Sequence, residues 1–412
     1  MASCEIITIG SELLDGRVLN TNARYLAREA SRIGLTVTHQ SACRDDEQAM
    51  MAALREAMNR SRVIFVTGGL GSTPDDLTRS VIARFFGCGL KQDKRQYQHI
   101  VRYFKALKRR VLPMTREETY LPENAKPLLN RWGIALGFYI ATKNRLMIVL
   151  PGVPREMVAM FEHQIPELIH SLVKLGPKRI ELVAKIAGIY ETQVMKLLGP
   201  GFFRGRNFDF GIYPELGEVT IRIKADTLSL TRSLRRDMAK ALGQHLYSFE
   251  DDSFAQVIGD ILVHKKQTMA VAESCTGGFL SQLLTEPPGA SRYFQGSLVA
   301  YQNEIKNRLA EVPMQTITKK GAVSREVARA LAISARVQFR ASYGVSITGI
   351  AGPGGGSVQK PVGLVYIAIA DKNESRVFPY RFMGDRSKIR QRSAWEALYL
   401  FWRVLKKSSV HF

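Results

Sequence analysis

The strongest constraint on the fold is a repeated order of buried strand, glycine-rich turn and helix. Val63–Thr67 is a run of β-branched and aromatic residues that ends at Gly68–Gly71, and the apolar run Arg145–Leu150 ends at Pro151–Pro154. Such runs, followed by turns and by helical periodicity, are typical of strands that alternate with helices. The alternation predicts an α/β fold in which a mostly parallel sheet is covered by helices on both faces.

The length and the position of these patterns predict a multidomain chain. Its 412 residues leave room for two or three domains. We predict α/β layered domains at 1–175 and 251–412, joined by a small α+β module at 177–250. In that module, Glu218–Ala225 alternates apolar and polar residues. This predicts a half-exposed strand whose polar residues, Thr220 among them, face solvent.

The formal net charge of +22 raises the question of nucleic-acid binding. The basic residues are spread along the chain, with local runs only at Lys105–Arg110, Arg232–Arg236 and Lys406–Lys407. This distribution favours solvated basic faces and sites for small anions over a dedicated nucleic-acid surface. We therefore expect small nucleotide substrates and no nucleic-acid partner.

Cysteine usage and hydropathy indicate a cytoplasmic protein. The four cysteines are widely spread and show neither a disulfide pattern nor zinc spacing. The segment Met1–Gly10 has no secretory character, and no apolar run approaches the roughly 18–20 residues that span a bilayer. We expect a reducing cytosol and no membrane association.

The segment with the clearest chemistry is Ala272–Gly278, with the sequence Ala-Glu-Ser-Cys-Thr-Gly-Gly. A buried strand ends there and a helix over Thr276–Leu284 is predicted, so Ser274 lies at a strand-to-helix elbow. Backbone N–H groups at the start of that helix can bind a phosphate or a developing oxyanion. The alternative is that Ser274 or Thr276 only caps the helix.

A serine nucleophile needs a base, and the sequence offers a lysine. Tyr301 and Lys306 follow a predicted strand at Gly296–Ala300, and serine–lysine pairs are an established form of activated nucleophile. Lys306 fits this role if burial lowers the pKa of its ammonium, and Tyr301 can relay a proton or orient the pair. The alternative for Lys306 is an exposed helical lysine.

A glycine-rich loop and a nearby cation complete the predicted site. Thr348–Gly356 follows a buried strand and offers many unhindered N–H groups. Arg386 adds a positive charge that can neutralise a phosphate. We predict that further substrate contacts come from Cys275, Thr276, Gly277, Gly278, Asn303, Thr348, Gly349 and Gly352.

These motifs, in this order over 255–405, resemble the CinA C-terminal domain family. The matching segments include Val299–Lys306, Gly321–Ser324 and Gly384–Arg386. The family includes nicotinamide mononucleotide deamidases, so the resemblance implies an amidohydrolase that releases ammonia and leaves nicotinate mononucleotide. It assigns Ser274 as nucleophile and Tyr301 and Lys306 as activating partners, with no cofactor. We also expect a homodimer.

The first segment carries a second candidate site in the run Thr67–Thr78. Gly68, Gly69, Gly71 and Thr73 form a loop that can cradle a phosphate, and Asp75 and Asp76 follow it. Two carboxylates beside a phosphate loop suit a divalent cation. The alternative is that both aspartates only favour the helix N-terminus.

This segment resembles the N-terminal, molybdopterin-binding-like domain of full-length CinA proteins, some of which hydrolyse ADP-ribose with a metal. It departs from the family pattern at several polar positions, which are Ser11, Ser72, Met114, Thr115, Glu117, Glu118, Ile134 and Leu136. We expect the fold to be kept and a pyrophosphatase activity to be weakened, because a glutamate in place of a lysine repels a pyrophosphate.

The module at 177–250 resembles the KH-like linker domain of the same proteins, but it contains no Gly-x-x-Gly clamp for RNA. Two other functions stay open. One is a non-enzymatic scaffold or DNA-uptake accessory, which only the net charge supports. The other is binding of a pterin or nucleotide by the first domain without turnover.

Overall fold

The computed structural model describes residues 2–176 and 179–407, apart from the side chain of Lys407. The chain divides after Arg179 into two compact units. Sheets flanked by helices build both units, which confirms the predicted multidomain α/β class. In the described residues, no helix is both long enough and apolar enough to cross a membrane.

The first unit is built around one large sheet. The strands of this unit are β1 (Ala2–Ile9), β2 (Leu35–Cys43), β3 (Val63–Thr67), β4 (Leu90–Gln92), β5 (Tyr120–Pro122), β6 (Lys126–Leu128), β7 (Gly137–Ala141) and β8 (Leu146–Leu150). Its helices are α1 (Ser11–Leu14), α2 (Thr21–Arg32), α3 (Glu47–Arg60), α4 (Thr78–Phe85), α5 (Lys94–Ala106) and α6 (Pro154–Leu172), with a 3-10 helix at Pro113–Thr119.

The large sheet has the strand order β2-β1-β3-β8-β7-β6. The four strands from β2 to β8 pair in parallel, and β7 and β6 add antiparallel pairs at one side, so the sheet is mostly parallel as predicted. Val63 and Phe65 face one core, whereas Ile64 and Val66 face the other. This alternation explains why β3 is apolar throughout: helices cover both of its faces.

The second unit contains two sheets. Its strands are β9 (Ile180–Ala187), β10 (Phe208–Glu215), β11 (Glu218–Ala225), β12 (Leu246–Ser248), β13 (Met269–Glu273), β14 (Phe294–Val299), β15 (Tyr343–Gly349), β16 (Leu364–Ala370) and β17 (Ser375–Arg381). Its helices are α7 (Glu191–Leu198), α8 (Leu228–Leu242), α9 (Phe254–His264), α10 (Phe279–Thr285), α11 (Asn303–Arg308), α12 (Met314–Lys320), α13 (Arg325–Gln338) and α14 (Arg386–Lys407).

The smaller sheet is antiparallel, in the order β10-β11-β9-β12. Strand β11 has the predicted bounds, but the prediction that Thr220 faces solvent is wrong, because Thr220 is buried. Because β11 pairs with a strand on each side, side chains of those strands flank Thr220, and it is more buried than the alternating pattern suggests. The domain boundaries assigned from the sequence stay a prediction.

The larger sheet of the second unit has the order β14-β13-β15-β16-β17, with β14, β13 and β15 parallel. Ala187 and Tyr247 of the smaller sheet pack into the same core as Phe254 and Trp402, so the two sheets share a hydrophobic core. The parallel strand β13 lies between β14 and β15 and delivers the Ala272–Gly278 segment at its carboxyl end.

The helix after this segment differs from the prediction. Helix α10 begins at Phe279, three residues later than the predicted start at Thr276. Gly277 and Gly278 have φ angles of 59° and 94°, a left-handed conformation that glycine adopts without a Cβ clash. The chain therefore makes a tight turn between strand and helix before α10 can begin.

Candidate functional site

Ser274 is fixed to the sheet by its backbone. It directly follows β13, and its N–H donates to the carbonyl oxygen of Ile347 on β15 at 2.9 Å. The Ser274 carbonyl then accepts from the N–H of Gly277 at 3.1 Å and closes the turn. The residue is 7% exposed. The structure thus places the predicted nucleophile at a rigid strand-to-helix elbow.

Glu273 saturates the start of the helix behind the elbow. Its fully buried carboxylate accepts hydrogen bonds from the N–H groups of Gly278, Leu280 and Ser281 at 3.0, 3.1 and 2.8 Å, and from the Ser281 hydroxyl at 2.5 Å. These three N–H groups are therefore not available to a phosphate or an oxyanion, and binding of either by the other N–H groups of the elbow stays a prediction. The alternative role of Ser274 as a helix cap also fails, because Glu273 does the capping.

Lys306 is buried although it lies on the short helix α11. The residue is 2% exposed, and Nζ donates to the carbonyl oxygen of Tyr301 at 2.9 Å. Burial lowers the pKa of its ammonium, because charging an amine without water is costly. The prediction of an exposed helical lysine is thereby excluded. In the described residues no hydrogen bond joins Lys306 to Ser274.

Cys275, the residue after the predicted nucleophile, is a buried thiol. Burial raises the pKa of its thiol to about 12, and the charges of Lys306 and Arg390 act in the opposite direction. The thiol is therefore neutral near pH 7, and Lys306 lies within Coulombic range of the residue next to Ser274. Cys275 packs in the main core of the second unit, so its contribution to the site is steric.

Tyr301 and Arg386 form the outer side of the site. The phenol oxygen of Tyr301 accepts from Nη2 of Arg386 at 2.7 Å, and Nη1 of Arg386 donates to the Gly352 carbonyl at 2.8 Å. The Tyr301 side chain is half-exposed. Arg386 thus joins the glycine-rich loop after β15 to the segment that precedes Lys306. The sequence predicts that this loop and this segment belong to one site.

Thr276 lies under the elbow and is held by an arginine that sequence reasoning missed. Arg390 donates from Nε and Nη2 to the Thr276 carbonyl, at 3.2 and 2.7 Å. The Thr276 hydroxyl is buried and has no hydrogen-bond partner among the described residues. A buried hydroxyl without a partner is costly, so a bound ligand would stabilise it. The signal for Arg390 was its position four residues after Arg386, on one face of α14.

The other predicted substrate contacts fall into two groups. Asn303 is the exposed first residue of α11, and Gly277 and Gly278 form the turn of the elbow. By contrast, the Thr348 hydroxyl donates to the Ala322 carbonyl at 2.9 Å, and Gly349 packs against Leu364 and Val365. Thr348 and Gly349 thus position the loop, and their contact with a substrate stays a prediction.

The first unit has a cleft of about 390 Å³ at the carboxyl ends of β1 and β3. Gly68 and Gly69 line it, and a Cβ at Gly68 would collide with the Ile9 carbonyl oxygen, so only glycine fits. Gly71 and Thr73 lie just outside the lining, where they hold Asp76. The predicted loop is therefore present, and its first two glycines face the cleft.

The cleft is lined by carboxylates and by no basic side chain. Glu12, Asp45, Asp75 and Asp76 contribute to its wall. Asp76 accepts from the N–H groups of Gly71 and Thr73 at 2.8 and 2.9 Å, and a hydrogen bond from Thr73 lowers the pKa of Asp75. Within residues 2–176 and 179–407, no three His, Cys, Asp or Glu side chains converge to hold a metal ion. The assignment of Asp75 and Asp76 as metal ligands stays a prediction.

Several departures from the family pattern lie away from the cleft wall. Neither Glu117 nor Glu118 lines the cleft. Glu118 is buried, and burial raises its pKa to about 7, although hydrogen bonding by Ser72 and the charge of Arg79 act to lower it. Arg79 holds the carbonyl oxygens of Leu70 and Gly71. Glu118 therefore lies close to Ser72 and Arg79 of the phosphate-loop region. The predicted repulsion of a pyrophosphate concerns Glu117, which stands in place of the family's lysine, and it stays a prediction.

Comparison with known proteins identifies both regions. Residues 251–405 match the model of the CinA C-terminal domain, and residues 5–170 match the model named "Probable molybdopterin binding domain". A competence-damage inducible protein of Caldicellulosiruptor bescii is 36% identical over 99% of each chain, and one of Moorella thermoacetica is 38% identical over 98% of each. The solved structure of CihA from Agrobacterium tumefaciens is 34% identical over 38% of this chain and 97% of that one, with a TM-score of 0.35.

These two relatives align with nearly the whole chain, so each alignment spans both matched regions of this chain. The elbow with Ser274 and Lys306 lies in the second matched region, and the glycine-lined cleft lies in the first. On this evidence the chain belongs to the CinA family of competence-damage inducible proteins.

Proposed function

We propose that the 251–412 region hydrolyses nicotinamide mononucleotide to nicotinate mononucleotide and ammonia, with Ser274 as the nucleophile. The observation that carries this proposal is the buried Lys306 amine, whose pKa burial lowers. A desolvated lysine within Coulombic range of Cys275, the residue next to Ser274, suits serine–lysine amidohydrolysis.

In the proposed reaction, Lys306 is the base and Ser274 is the nucleophile. Neutral Lys306 accepts the proton as Ser274 Oγ attacks the carboxamide carbon. When the C–N bond breaks, the same proton goes to the leaving nitrogen, which departs as ammonia. Water then attacks the acyl-enzyme ester and regenerates the serine. General bases act within hydrogen-bond reach, and such contacts often tighten only in the substrate complex. The proposal therefore requires the Lys306 side chain to move to Ser274 Oγ when substrate binds.

Cations around the elbow suit the phosphate of a mononucleotide. Arg386 spends two of its N–H groups on Gly352 and Tyr301, and a guanidinium has five. Its remaining donors can bind a phosphate, and the partnerless Thr276 hydroxyl offers a further polar contact. This chemistry needs no metal ion, so we propose that the deamidase works without a cofactor.

Ammonia release from nicotinamide mononucleotide by the purified full chain tests the proposal. We expect Ser274→Ala to abolish release while it costs at most about 1 kcal/mol of stability, since it removes one small hydroxyl. We expect Lys306→Met to lower turnover severely. Lys319→Met is the matched control, because Lys319 is exposed on the neighbouring helix α12. Near-normal turnover of either active-site variant, or loss of turnover in the control, would contradict these roles.

For the first unit we propose a weakened, metal-dependent ADP-ribose pyrophosphatase. The supporting observation is the cleft itself, which has phosphate-loop glycines but four carboxylates and no basic residue in its wall. Such a wall repels a bare pyrophosphate, so binding needs a divalent cation to offset the negative charge. A pterin or nucleotide bound without turnover is the competing outcome, and it would show binding with no release of AMP.

We propose a homodimer in the cytoplasm that acts on small nucleotides. The four cysteines are free in the structure, which fits a reducing compartment. A non-enzymatic scaffold is the opposing reading, and turnover of nicotinamide mononucleotide by the purified chain decides against it.

A further inference from the structure

A second cavity of the first unit has the composition of a ligand site. Its volume is about 430 Å³, and it shares no lining residue with the glycine-lined cleft. Helix α5 contributes Arg95, helix α6 contributes His163, and the loop between β6 and β7 contributes Arg131 and Trp132. The volume lies within the range of roughly 300–1,000 Å³ that is typical of small-molecule sites.

Buried hydrogen bonds hold the loop that forms this cavity. Gln96, beside Arg95 on α5, is buried and donates from Nε2 to the carbonyl oxygens of Asn130 and Ile134 at 3.3 and 3.1 Å. The fully buried Asn130 accepts from the Trp132 N–H at 3.0 Å and donates to the Ala135 carbonyl at 3.1 Å. The loop is therefore fixed before any ligand binds, which reduces the entropy cost of binding.

Hydrogen bonds also hold the α6 side of the cavity. On α6, Gln164 donates from Nε2 to the Leu129 carbonyl at 3.0 Å, and Nδ1 of His163 donates to the Ala159 carbonyl at 2.8 Å. The rings of Trp132 and His163 have centroids 4.7 Å apart. The imidazole thus supports one side of a half-buried indole and leaves the ring in a defined orientation.

The charges of the cavity are unbalanced. Arg95 and Arg131 are exposed, and among the described residues neither forms an ion pair or a hydrogen bond through its side chain. Two unpaired guanidinium groups beside an oriented indole match a ligand that carries both an anionic oxygen group and a flat ring. Guanidinium binds phosphate in a bidentate fashion, and an indole stacks on a nucleobase.

We propose that this cavity, lined by Arg95, Arg131, Trp132 and His163, binds a nucleoside phosphate, with the base on Trp132 and the phosphate on the two arginines. The site is distinct from both candidate catalytic sites, and it does not depend on the deamidase proposal. A ligand there would contact α5 and α6, the two helices that carry Arg95 and His163.

Titration of the full chain with AMP, adenosine and inorganic phosphate tests the proposal, by calorimetry and by tryptophan fluorescence. We expect AMP to bind and to quench Trp132, and adenosine and phosphate each to bind at least about tenfold more weakly. Arg131→Ala should weaken AMP binding about tenfold or more, since it removes a charge-assisted contact. Arg102→Ala is the matched control, because Arg102 is exposed on the same helix as Arg95.

Two further variants locate the ligand. Trp132→Phe should keep the heat of binding and lose the quench, whereas Trp132→Ala should lose the quench and the heat that accompanies it. Asn22→Ala changes a residue of the glycine-lined cleft and should leave the quench unchanged. A quench that persists in Trp132→Phe, phosphate that binds as tightly as AMP, or the absence of AMP binding to the folded chain would each overturn the proposal.

Discussion

Glu273 provides the sharpest test of how the elbow is built, because the substitution Glu273→Gln changes charge and hydrogen bonding with almost no change in shape. One carboxylate oxygen accepts from the N–H groups of Gly278 and Leu280, and the other accepts from the N–H and the hydroxyl of Ser281. A glutamine can orient only one oxygen, so either orientation leaves two donors facing an NH₂ group.

The magnitude follows from this geometry. Each buried donor without an acceptor costs about 1–3 kcal/mol, so two cost about 2–6 kcal/mol. The Ser281 hydroxyl can rotate towards another acceptor, which favours the lower half of that range. We therefore expect Glu273→Gln to lose about 3 kcal/mol of unfolding free energy, and to lose deamidase turnover as the elbow loosens.

Urea unfolding of the full chain in a Trp132→Phe background measures the effect. The two remaining tryptophans, Trp395 and Trp402, both lie in the second unit and report on its unfolding. The matched control is Glu286→Gln, since Glu286 is exposed at the other end of the same helix. If Glu273→Gln unfolds within about 1 kcal/mol of that control, the carboxylate does not cap the helix as inferred.

Four further outcomes are expected. Turnover should rise with pH through a single ionisation below the usual lysine pKa of about 10.4, because Lys306 must be neutral; a pH profile of kcat checks this. Stability should rise with pH between the lowered folded pKa of Lys306 and that unfolded value, since the unfolded chain binds the extra proton there. Urea titrations of the Lys306→Met variant should lack this rise. EDTA should leave ammonia release unchanged, and any loss restored by a divalent ion would refute a cofactor-free reaction. With ADP-ribose and magnesium, cobalt or manganese, a Ser274→Ala chain should release AMP slowly, and faster after Glu117→Lys; rapid release by the unmodified cleft would show that its acidic wall is no obstacle.

The sequence predicted those features of the fold that depend on local periodicity. Strands Val63–Thr67 and Glu218–Ala225 have their predicted bounds, because β-branched runs and the alternation of apolar and polar residues express the period of a strand. The position of Ser274 after a buried strand followed from the same reasoning. Local pattern also explains why the predicted helix start at Thr276 is wrong. The prediction places Gly277 and Gly278 inside the helix, whereas these glycines form a turn and the helix begins after them.

The sequence did not predict interactions between residues distant in the chain. The contact between Arg390 and the Thr276 carbonyl joins residues 114 positions apart, and no periodicity encodes it. The burial of Lys306 depends on what packs over α11, which a single helix does not reveal. The capping of α10 by Glu273 is closer in sequence, but it requires the left-handed turn at Gly277 and Gly278, which brings a carboxylate five residues before Gly278 back to the helix start.

Charge explains why the two units should differ in their need for a metal ion. The elbow is surrounded by Lys306, Arg386 and Arg390, while the one buried carboxylate there, Glu273, is consumed by backbone donors. An anionic mononucleotide can bind such a site directly. The cleft of the first unit offers carboxylates and glycine N–H groups without a cation, so a pyrophosphate there must bring its own positive charge. The same nucleotide chemistry would therefore be independent of divalent ions in the second unit and dependent on them in the first.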